Sequence, residues 1–393
     1  MSYDYPEFEI PQEVYDLCNA RVTELENAAI EWEKEYNAFL NANPKATEKI
    51  SALVNRTVPE NLLEEFLKVI PTSKAAATRV SNGAVLQKAA ELVPALMGGA
   101  ADLAPSTKTA IAGAESFSAE NRSGRNLHFG VRELAMGMAA NGMALYETMI
   151  PYSSTFFVFS DYMKPAIRLA ALQNLHQIYI FTHDSFYVGE DGPTHEPVEQ
   201  LIMLRTIPNL TVIRPAEAHE VAHAWAVALK ANGPVALINT RQDVEPFPEE
   251  LAAKIDVARG AYVLSEDEGF KVILIATGSE VNLALSTAKL MRANGAKVRV
   301  VSMPSQELFL KQSKEYRDAV LPPSCKKRVS IEAGATFGWH RFIGDEGLAI
   351  GLDHFGASAP YKVLVEKFGF TPETVLEKIR AHFGCHDGNC ACQ

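Results

Sequence analysis

The chain has 393 residues, of which 47% are hydrophobic and 22% are charged, and its net charge is −11 at pH 7. This composition is typical of soluble globular proteins, and the length predicts two or three domains. No apolar run reaches the roughly 18 residues of a membrane span, and no basic stripe favours nucleic acid as a partner. Because the acidic N-terminus lacks a signal-peptide pattern and there are only five cysteines, we expect a cytoplasmic protein without a disulfide framework.

Residues 11–42 are predicted to form one long amphipathic helix. Apolar residues recur at three- and four-residue steps as far as Leu40, and Pro11 suits a first helical turn. The stripe includes Trp32 and Tyr36, so we expect the helix to pack on a neighbouring domain. A coiled-coil seam is the alternative, but the heptad pattern is not sustained. Residues 1–71 are interpreted as a helical connector.

Short apolar runs alternate with helical segments between residues 72 and 243. The predicted strands are Ala95–Gly98, Asn126–Phe129, Met143–Met149, Gln177–Thr182, Leu210–Ile213 and Val235–Asn239. The predicted helices are Gly83–Leu92, Glu133–Gly142, Phe156–Asn174, His195–Arg205 and Ala218–Ala231. Such alternation predicts an α/β domain with a mostly parallel sheet and helices on both faces.

A second α/β unit is predicted for residues 256–384, after a proline-containing linker at 244–255. Its strands are expected at 271–277, 297–303 and 328–332, and its closing helix at Pro372–Phe383. Gly278 stands alone before a helix rather than in a G-x-G-x-x-G run, so it is interpreted as a turn residue. The predicted fold class is therefore α/β, with two three-layer domains after a helical connector.

The segment Thr182–Pro197 follows a predicted strand and contains two histidines, four acidic residues and two glycines. Open α/β sheets place ligands beyond the carboxyl ends of their strands, so this loop is a candidate binding site. A solvated surface loop with incidental charges is the alternative. The side chains of Arg79, Ser106, His183 and Arg241 would suit a phosphate if they converged, since arginine binds phosphate with two hydrogen bonds. They could equally be unrelated surface residues.

Two further features allow a functional and a structural interpretation. Glu133 is expected near a helix N-terminus, where a carboxylate can simply favour the helix dipole; in an apolar pocket it would hold a proton instead. Phe156, Phe159 and Tyr162 recur at three-residue steps, which on a helix gives one aromatic face. Such a face is more often core than a cofactor pocket.

Five ordered motifs together resemble transketolase over residues 5–384. They are Gly98-Gly-Ala-Ala-Asp-Leu-Ala-Pro-Ser106, His128-Phe-Gly-Val-Arg-Glu133, Tyr152-Ser-Ser-Thr-Phe156, Thr182–Pro197 and Asn239-Thr-Arg-Gln242. The full His-Asp-Ser…Gly-Glu-Asp-Gly-Pro-Thr-His string separates this pattern from those of deoxyxylulose-phosphate synthase and pyruvate dehydrogenase. The resemblance implies a pyrimidine-binding domain at 72–243 and a transketolase C-terminal domain at 256–384.

The resemblance also implies roles for individual residues. Glu133 would bond the aminopyrimidine ring of thiamine diphosphate, and His195 would lie near the reacting carbonyl. The cofactor pocket would include Leu103, Phe156, Phe159 and Tyr162. The sugar phosphate would be bound by Arg79, Ser106, His183 and Arg241, with Asp191 on the hydroxyl next to the cleaved bond. Leu134 stands where many members of the family have histidine, and no role is carried over to it.

The family's diphosphate-binding motif, Gly-Asp-Gly…Asn, does not occur in this sequence. The resemblance therefore implies the C-terminal subunit of a split transketolase, active only with an N-terminal subunit that holds Mg2+ or Ca2+. Dimerisation would make the assembly a heterotetramer, and its substrates would be sugar phosphates of the pentose phosphate pathway. Two alternatives remain, a non-catalytic regulatory or binding paralogue and another thiamine-diphosphate enzyme such as dihydroxyacetone synthase.

The last residues, 385–393, are rich in cysteine. Cys385, His386, Cys390 and Cys392 could bind a metal, but zinc sites more often use paired C-x2-C spacings. A disordered terminus with exposed thiols is therefore favoured, and no metal ligand is assigned.

Overall fold

The structure is a computed structural model that describes residues 5–384. The described chain divides into two compact units, one up to Asn55 and one from Arg56 onward. The first unit contains helices α1 (Gln12–Ala42) and α2 (Pro44–Val54). The single long helix predicted for residues 11–42 is confirmed. None of its residues is buried, and Trp32 stacks on Tyr36 with ring centroids 4.8 Å apart. Its packing on a neighbouring domain stays a prediction.

The second unit begins with a domain built on a six-stranded sheet. Its helices are α3 (Leu62–Leu67), α4 (Thr78–Leu92), α5 (Ala104–Thr107), α6 (Glu133–Leu145), α7 (Ser160–Leu172), α8 (Gln200–Arg205) and α9 (Ala218–Leu229). Its strands are β1 (Ala76–Ala77), β2 (Leu96–Ala100), β3 (Asn126–His128), β4 (Ile150–Phe156), β5 (Ile178–Thr182), β6 (Thr211–Ile213), β7 (Val235–Asn239) and β8 (Asp243–Val244). The large sheet has the order β3-β2-β4-β5-β7-β6 and is parallel throughout, while β1 and β8 form a separate antiparallel pair.

A five-stranded sheet forms the centre of the following domain. Its helices are α10 (Glu249–Ala252), α11 (Glu280–Ala293), α12 (Gln306–Leu310), α13 (Lys314–Val320), α14 (His340–Ile343), α15 (Tyr361–Phe368) and α16 (Pro372–Phe383). Its strands are β9 (Tyr262–Glu266), β10 (Val272–Ala276), β11 (Val298–Ser302), β12 (Arg328–Ile331) and β13 (Leu348–Ile350). The order is β13-β12-β10-β11-β9, and only β9 runs antiparallel to its neighbour. The predicted α/β class with mostly parallel sheets is confirmed.

Four predicted elements near the candidate site need correction. The strand expected at Met143–Met149 is wrong, because α6 continues to Leu145 and the strand is Ile150–Phe156. A short apolar run does not distinguish a strand from a buried helix end. Every residue of β4 before Phe156 is buried, including three consecutive hydroxyl side chains, so β4 lacks the apolar run that marks a central strand.

The other three corrections concern where helices begin. The helix predicted from Phe156 begins at Ser160, after a 3-10 turn at Phe157–Phe159, so Phe156 ends a strand instead. The helix predicted from His195 begins at Gln200, since Pro197 restricts the residue before it to extended backbone. Moreover, the helix predicted from Gly83 begins at Thr78, which places Arg79 in its first turn.

Among residues 5–384, no helix is long and apolar enough to cross a membrane.

Candidate active site

The candidate site lies at the carboxyl edge of the six-stranded sheet. Phe156 ends β4, and the neighbouring strand β5 ends at Thr182, which pairs with Phe156 in the sheet register. His183 follows directly, and Arg241 comes two residues after the end of β7. Since parallel strands end at the same edge, residues far apart in the sequence meet there.

His183 is the centre of a cationic cluster. Its Nε2 lies 3.5 Å from Nη1 of Arg79, and its Nδ1 lies 2.8 Å from the Thr182 hydroxyl. Burial, followed by the charges of Arg79 and Arg241, lowers the pKa of His183 to about 3. The imidazole is therefore neutral near pH 7 and can accept or donate one hydrogen bond at each nitrogen according to its tautomer.

The same cluster has unused capacity to bind an anion. Arg79 donates from Nη1 to the carbonyl oxygen of Ser106 at 2.9 Å, but its Nε is buried and has no hydrogen-bond partner within residues 5–384. Burial and then the positive charge of Arg241 lower the pKa of Arg79, while Asp243 opposes them. Asp243 thus offsets only one of two guanidinium charges. A buried donor without a partner is costly, and a bound phosphate would satisfy it.

His183 has the strained backbone that is common at functional sites. Its φ is 62°, in the left-handed region that non-glycine residues rarely adopt. On one side its ring stacks on Phe156, with centroids 3.7 Å apart. The surrounding contacts therefore hold this residue in a conformation that the isolated peptide would disfavour.

An aromatic row begins at the same stacking contact. Phe156 and Phe159 are nearly parallel with centroids 6.2 Å apart, and Phe159 and Tyr162 follow at 6.1 Å. The side chain of Tyr162 is 65% exposed and the two phenylalanines are half-buried, so the row is not part of the closed core. The rings share one surface although Phe156 belongs to a strand. Such a surface can stack against a flat heteroaromatic ring.

Glu133 is the first residue of α6 and is 7% exposed. Its helix packs against α7, which carries Tyr162, because Gly137 allows Met163 and Ala166 to approach the α6 backbone. Asn141 fixes the pair of helices with a hydrogen bond to the Ala166 carbonyl at 3.0 Å. A buried carboxyl group at this position can share a proton with a ring nitrogen of a ligand.

The other predicted residues lie around this centre. Leu103 is the N-cap of α5, and its carbonyl accepts from the backbone N–H of Ser106. The Nδ1 of His195 lies 2.9 Å from the Thr194 hydroxyl, and the ring contacts Phe159 edge-on at 5.6 Å. Asp191 is exposed on the loop between the two histidines.

Two buried groups beside the site were not predicted from the sequence. Glu196 is 2% exposed, and burial, with a smaller effect of Asp191, raises its pKa to about 7. Its carboxyl group packs against Gly356 of the second domain, where any β-carbon would lie 1.5 Å from a carboxylate oxygen. Asp184, next to His183, is 1% exposed and forms an ion pair with Arg214. Both residues belong to the loop that the sequence indicated, but their partners are distant in the chain.

No group of three or more potential metal ligands occurs within residues 5–384. The possible metal ligands Cys385, His386, Cys390 and Cys392 lie outside the described residues.

Fold and site together define a two-domain α/β protein with a cationic cluster beside an open aromatic row. Residues 74–246 match the family model of the transketolase pyrimidine binding domain, and residues 260–371 match that of the transketolase-like C-terminal domain. The chain belongs to the transketolase family.

Full-length relatives are similar to this chain over about half of their own length. The chain is 45% identical to a transketolase of Aquifex aeolicus over 379 residues, which are 95% of this chain and 54% of the relative. It is 46% identical to a transketolase of Geobacillus stearothermophilus over 384 residues, 96% of this chain and 57% of the relative.

Solved structures agree with this relationship. The transketolase from Leishmania mexicana superposes with a TM-score of 0.90 at 37% identity, covering 99% of this chain and 57% of that one. A structure described as a split gene transketolase, inactive beta4 tetramer, shares the fold with a TM-score of 0.63 at 24% identity. It covers 78% of this chain, and 98% of that chain is matched.

Proposed function

We propose that this chain is the C-terminal subunit of a split transketolase, which transfers a two-carbon ketol unit from a ketose phosphate to an aldose phosphate. The observation that carries the proposal is the cluster of Arg79, Arg241 and His183 beside the aromatic row. It combines a buried hydrogen-bond donor without a partner among the described residues, which a phosphate could satisfy, with a surface on which a heteroaromatic ring could stack. The relatives, of which the chain spans 54% and 57%, are transketolases.

The residues present fit the aminopyrimidine end of thiamine diphosphate. When bound, this cofactor supplies the nucleophilic carbon that accepts and returns the ketol unit. Phe156, Phe159 and Tyr162 would hold the flat ring, and Leu103 would support the bent cofactor. Glu133 would form a hydrogen bond with the ring nitrogen, which requires a carboxyl group shielded from water.

The chain's remaining site residues would bind and orient the sugar. Arg79 and Arg241 would hold the phosphate with two-pronged hydrogen bonds, helped by neutral His183 and by Ser106. Asp191 would bind the hydroxyl next to the cleaved bond, and His195 would lie near the reacting carbonyl. Holding the substrate at its far end fixes the reacting carbon relative to the cofactor, and such positioning lowers the barrier substantially.

The diphosphate of the cofactor would be bound through a metal ion, and the residues that hold this ion would belong to another subunit. We propose an N-terminal transketolase subunit that holds Mg2+ or Ca2+, with two copies of each chain forming a cytoplasmic heterotetramer. The fold neighbour described as an inactive beta4 tetramer supports this, because a protein of the same fold is inactive when it assembles alone.

Reconstitution tests the proposal directly. The chain is co-purified with a candidate N-terminal subunit, and ketol transfer from a ketose phosphate is measured with thiamine diphosphate and Mg2+. We expect transfer by the complex and none by either subunit alone. Ketol transfer by this chain alone at the rate of the complex would contradict the split arrangement. If no stable complex showed ketol transfer, the proposed transketolase activity would be contradicted.

A further inference from the structure

Arg214, just beyond strand β6, connects the site loop of the first domain to the second domain. It is 0% exposed. Its Nε donates to Asp184 Oδ2 at 2.9 Å, and its Nη2 lies 2.7 Å from the same oxygen. Asp184 immediately follows His183. One edge of the guanidinium group therefore binds the residue that follows the strained His183 of the phosphate site.

The other edge of the same guanidinium group is held by the second domain. Nη1 donates to the carbonyl oxygen of Thr277 at 2.9 Å and also to Glu280 Oε2. Glu280 is completely buried at the start of α11, and its Oε2 also accepts from the backbone N–H of Ala333 at 2.9 Å. Burial alone would lower the pKa of Arg214, but the carboxylates of Glu280 and Asp184 outweigh it and raise that pKa. The cation is thus fixed between two carboxylates.

A second connection runs from the same turn of the second domain to the other arginine of the phosphate site. Ser279 accepts a hydrogen bond from the side chain of Gln242 at 3.1 Å and donates to Glu280 Oε1 at 2.7 Å. Gln242 follows Arg241 directly. The turn Thr277–Glu280 is therefore connected to the neighbours of both His183 and Arg241.

Two other buried contacts between the domains do not end on neighbours of the proposed phosphate ligands. Tyr262 of β9 donates to Glu220 of α9 at 2.6 Å, and Arg205 forms a buried ion pair with Glu332. These contacts could hold the two domains together without affecting the phosphate site. The Arg214 cluster differs because it ends on residues adjacent to the proposed ligands.

We infer that the second domain positions the phosphate-binding residues of the first. Glu280, acting through Arg214 and Asp184, holds His183 in its left-handed conformation, and Ser279, acting through Gln242, holds Arg241. Asp184, Arg214, Ser279 and Glu280 are positioning residues, since they act on the ligand only through others. This inference rests on the proposed function for its substrate, a sugar phosphate, but its structural part concerns the chain alone.

Glu280→Gln tests the inference with little change of volume. Both carboxylate oxygens accept hydrogen bonds, so the amide must turn its N–H group toward another donor and displace Arg214. In the reconstituted complex we expect the KM for a ketose phosphate to rise about tenfold with kcat within about twofold. The KM for an unphosphorylated ketose donor should change less than about twofold.

Two further variants separate positioning from general stability. Ser279→Ala removes the contact to Gln242 without burying a new group, and we expect it to raise the KM for the ketose phosphate about threefold. Tyr262→Phe removes a contact between the domains away from the site, and both KM values should be unchanged. An equal rise of KM for phosphorylated and unphosphorylated donors, or a rise in Tyr262→Phe as large as in Glu280→Gln, would overturn the inference.

Hydrogen exchange of the full chain provides a test that does not depend on activity. We expect the amides of 182–186 to exchange at least about tenfold faster in Glu280→Gln than in the wild type or in Tyr262→Phe. Unchanged exchange in Glu280→Gln would overturn the inference even if the complex is an active transketolase. Faster exchange in a complex without ketol transfer would support the positioning and contradict the proposed function.

Discussion

The rings of Phe156 and His183 stack at 3.7 Å between centroids, with 28° between their planes. Each residue stands at the carboxyl end of one of two paired parallel strands, so the sheet itself sets this contact. The stack joins the proposed cofactor surface to the proposed phosphate site. It also covers one face of an imidazole that lies near Arg79 and Arg241, and burial together with these charges determines how that imidazole titrates.

We predict that His183 stays neutral in the folded chain down to about pH 4, because burial and then Arg79 and Arg241 lower its pKa to about 3. His219 provides an internal control, since its hydrogen bond with Glu217 raises its pKa above 6.5. The measurement is a pH titration of the histidine side chains by NMR, assigned with His183→Gln. Protonation of His183 at or above pH 6 would contradict this electrostatic description.

The same shift makes stability depend on pH. An unfolded chain binds a proton at this histidine below about pH 6.5, whereas the folded chain does not until about pH 3, so protonation favours unfolding in that range. Stability contributed by neutral His183 is complete above pH 6.5 and is lost as the pH falls. We expect His183→Gln to show a shallower loss of unfolding free energy between pH 6.5 and pH 4 than the wild type. An identical slope in both proteins would exclude this contribution.

Glu220 should produce the opposite pH dependence. Burial raises its pKa to about 7 from 4.5, so the folded chain holds a proton that the unfolded chain has released. Stability from this group is therefore complete below pH 4.5 and decreases as the pH rises toward 7. Glu220→Gln cannot titrate, and its unfolding free energy should lose up to about 1.4 kcal/mol per pH unit less over that range. Parallel curves for variant and wild type would refute the prediction.

Gly278 is expected to accept a side chain only at a substantial cost in stability. Its φ is +61°, and a β-carbon there would lie 2.5 Å from the guanidinium carbon of Arg214. Gly113 is a matched control, because its φ is +74° and a β-carbon there would have no described atom within 4 Å. Gly113→Ala should cost only the left-handed strain, about 1 kcal/mol, whereas Gly278→Ala should cost about 1–3 kcal/mol more through overpacking. Urea unfolding of both variants measures the difference, and equal costs would contradict the packing described here.

Breaking one side of the buried pair Arg205–Glu332 should be more harmful than replacing both residues. Arg205 Nη2 lies 2.7 Å from Glu332 Oε2, and both side chains are less than 5% exposed. Glu332→Gln leaves a buried cation without its counter-charge and should lose about 3–5 kcal/mol of unfolding free energy. The double variant Arg205→Met, Glu332→Leu should lose less, because the ion pair is removed as a whole, although Glu307 loses a nearby cation and Trp339 loses its acceptor. Urea unfolding that shows a smaller loss for the single variant would contradict this account.

Parts of the site that depend on one strand end could be predicted from the sequence. The loop after Thr182 and the position of Arg241 after β7 follow from apolar runs that end in polar residues, and both are observed. Strand β4 was misplaced because its buried hydroxyl residues Ser153–Thr155 carry no hydrophobic signal. A central strand position, rather than residue type, explains their burial.

Contacts between the domains could not be predicted in the same way. Arg214 and Glu280 are 66 positions apart, and each alone resembles an ordinary charged residue at a strand end or in a first helical turn. Only the packing of the two sheets makes them a buried ion pair. Gly278 is predicted to be a turn residue, and its positive φ agrees with this. The guanidinium group of Arg214 gives a second reason for glycine here, because it leaves no room for a β-carbon, and the sequence does not reveal that contact.

The most direct test of the proposed function concerns the carboxyl group of Glu133 in the reconstituted complex. Glu133→Gln preserves size but cannot share a proton with the cofactor's ring nitrogen, so we expect kcat to fall at least about 100-fold, within the range for general acid–base groups. Complex assembly, measured by analytical ultracentrifugation, should be unchanged, and Glu91→Gln on the exposed surface of α4 serves as the control. Full ketol transfer by an assembled Glu133→Gln complex would contradict the central claim that this chain supplies the activating carboxyl group.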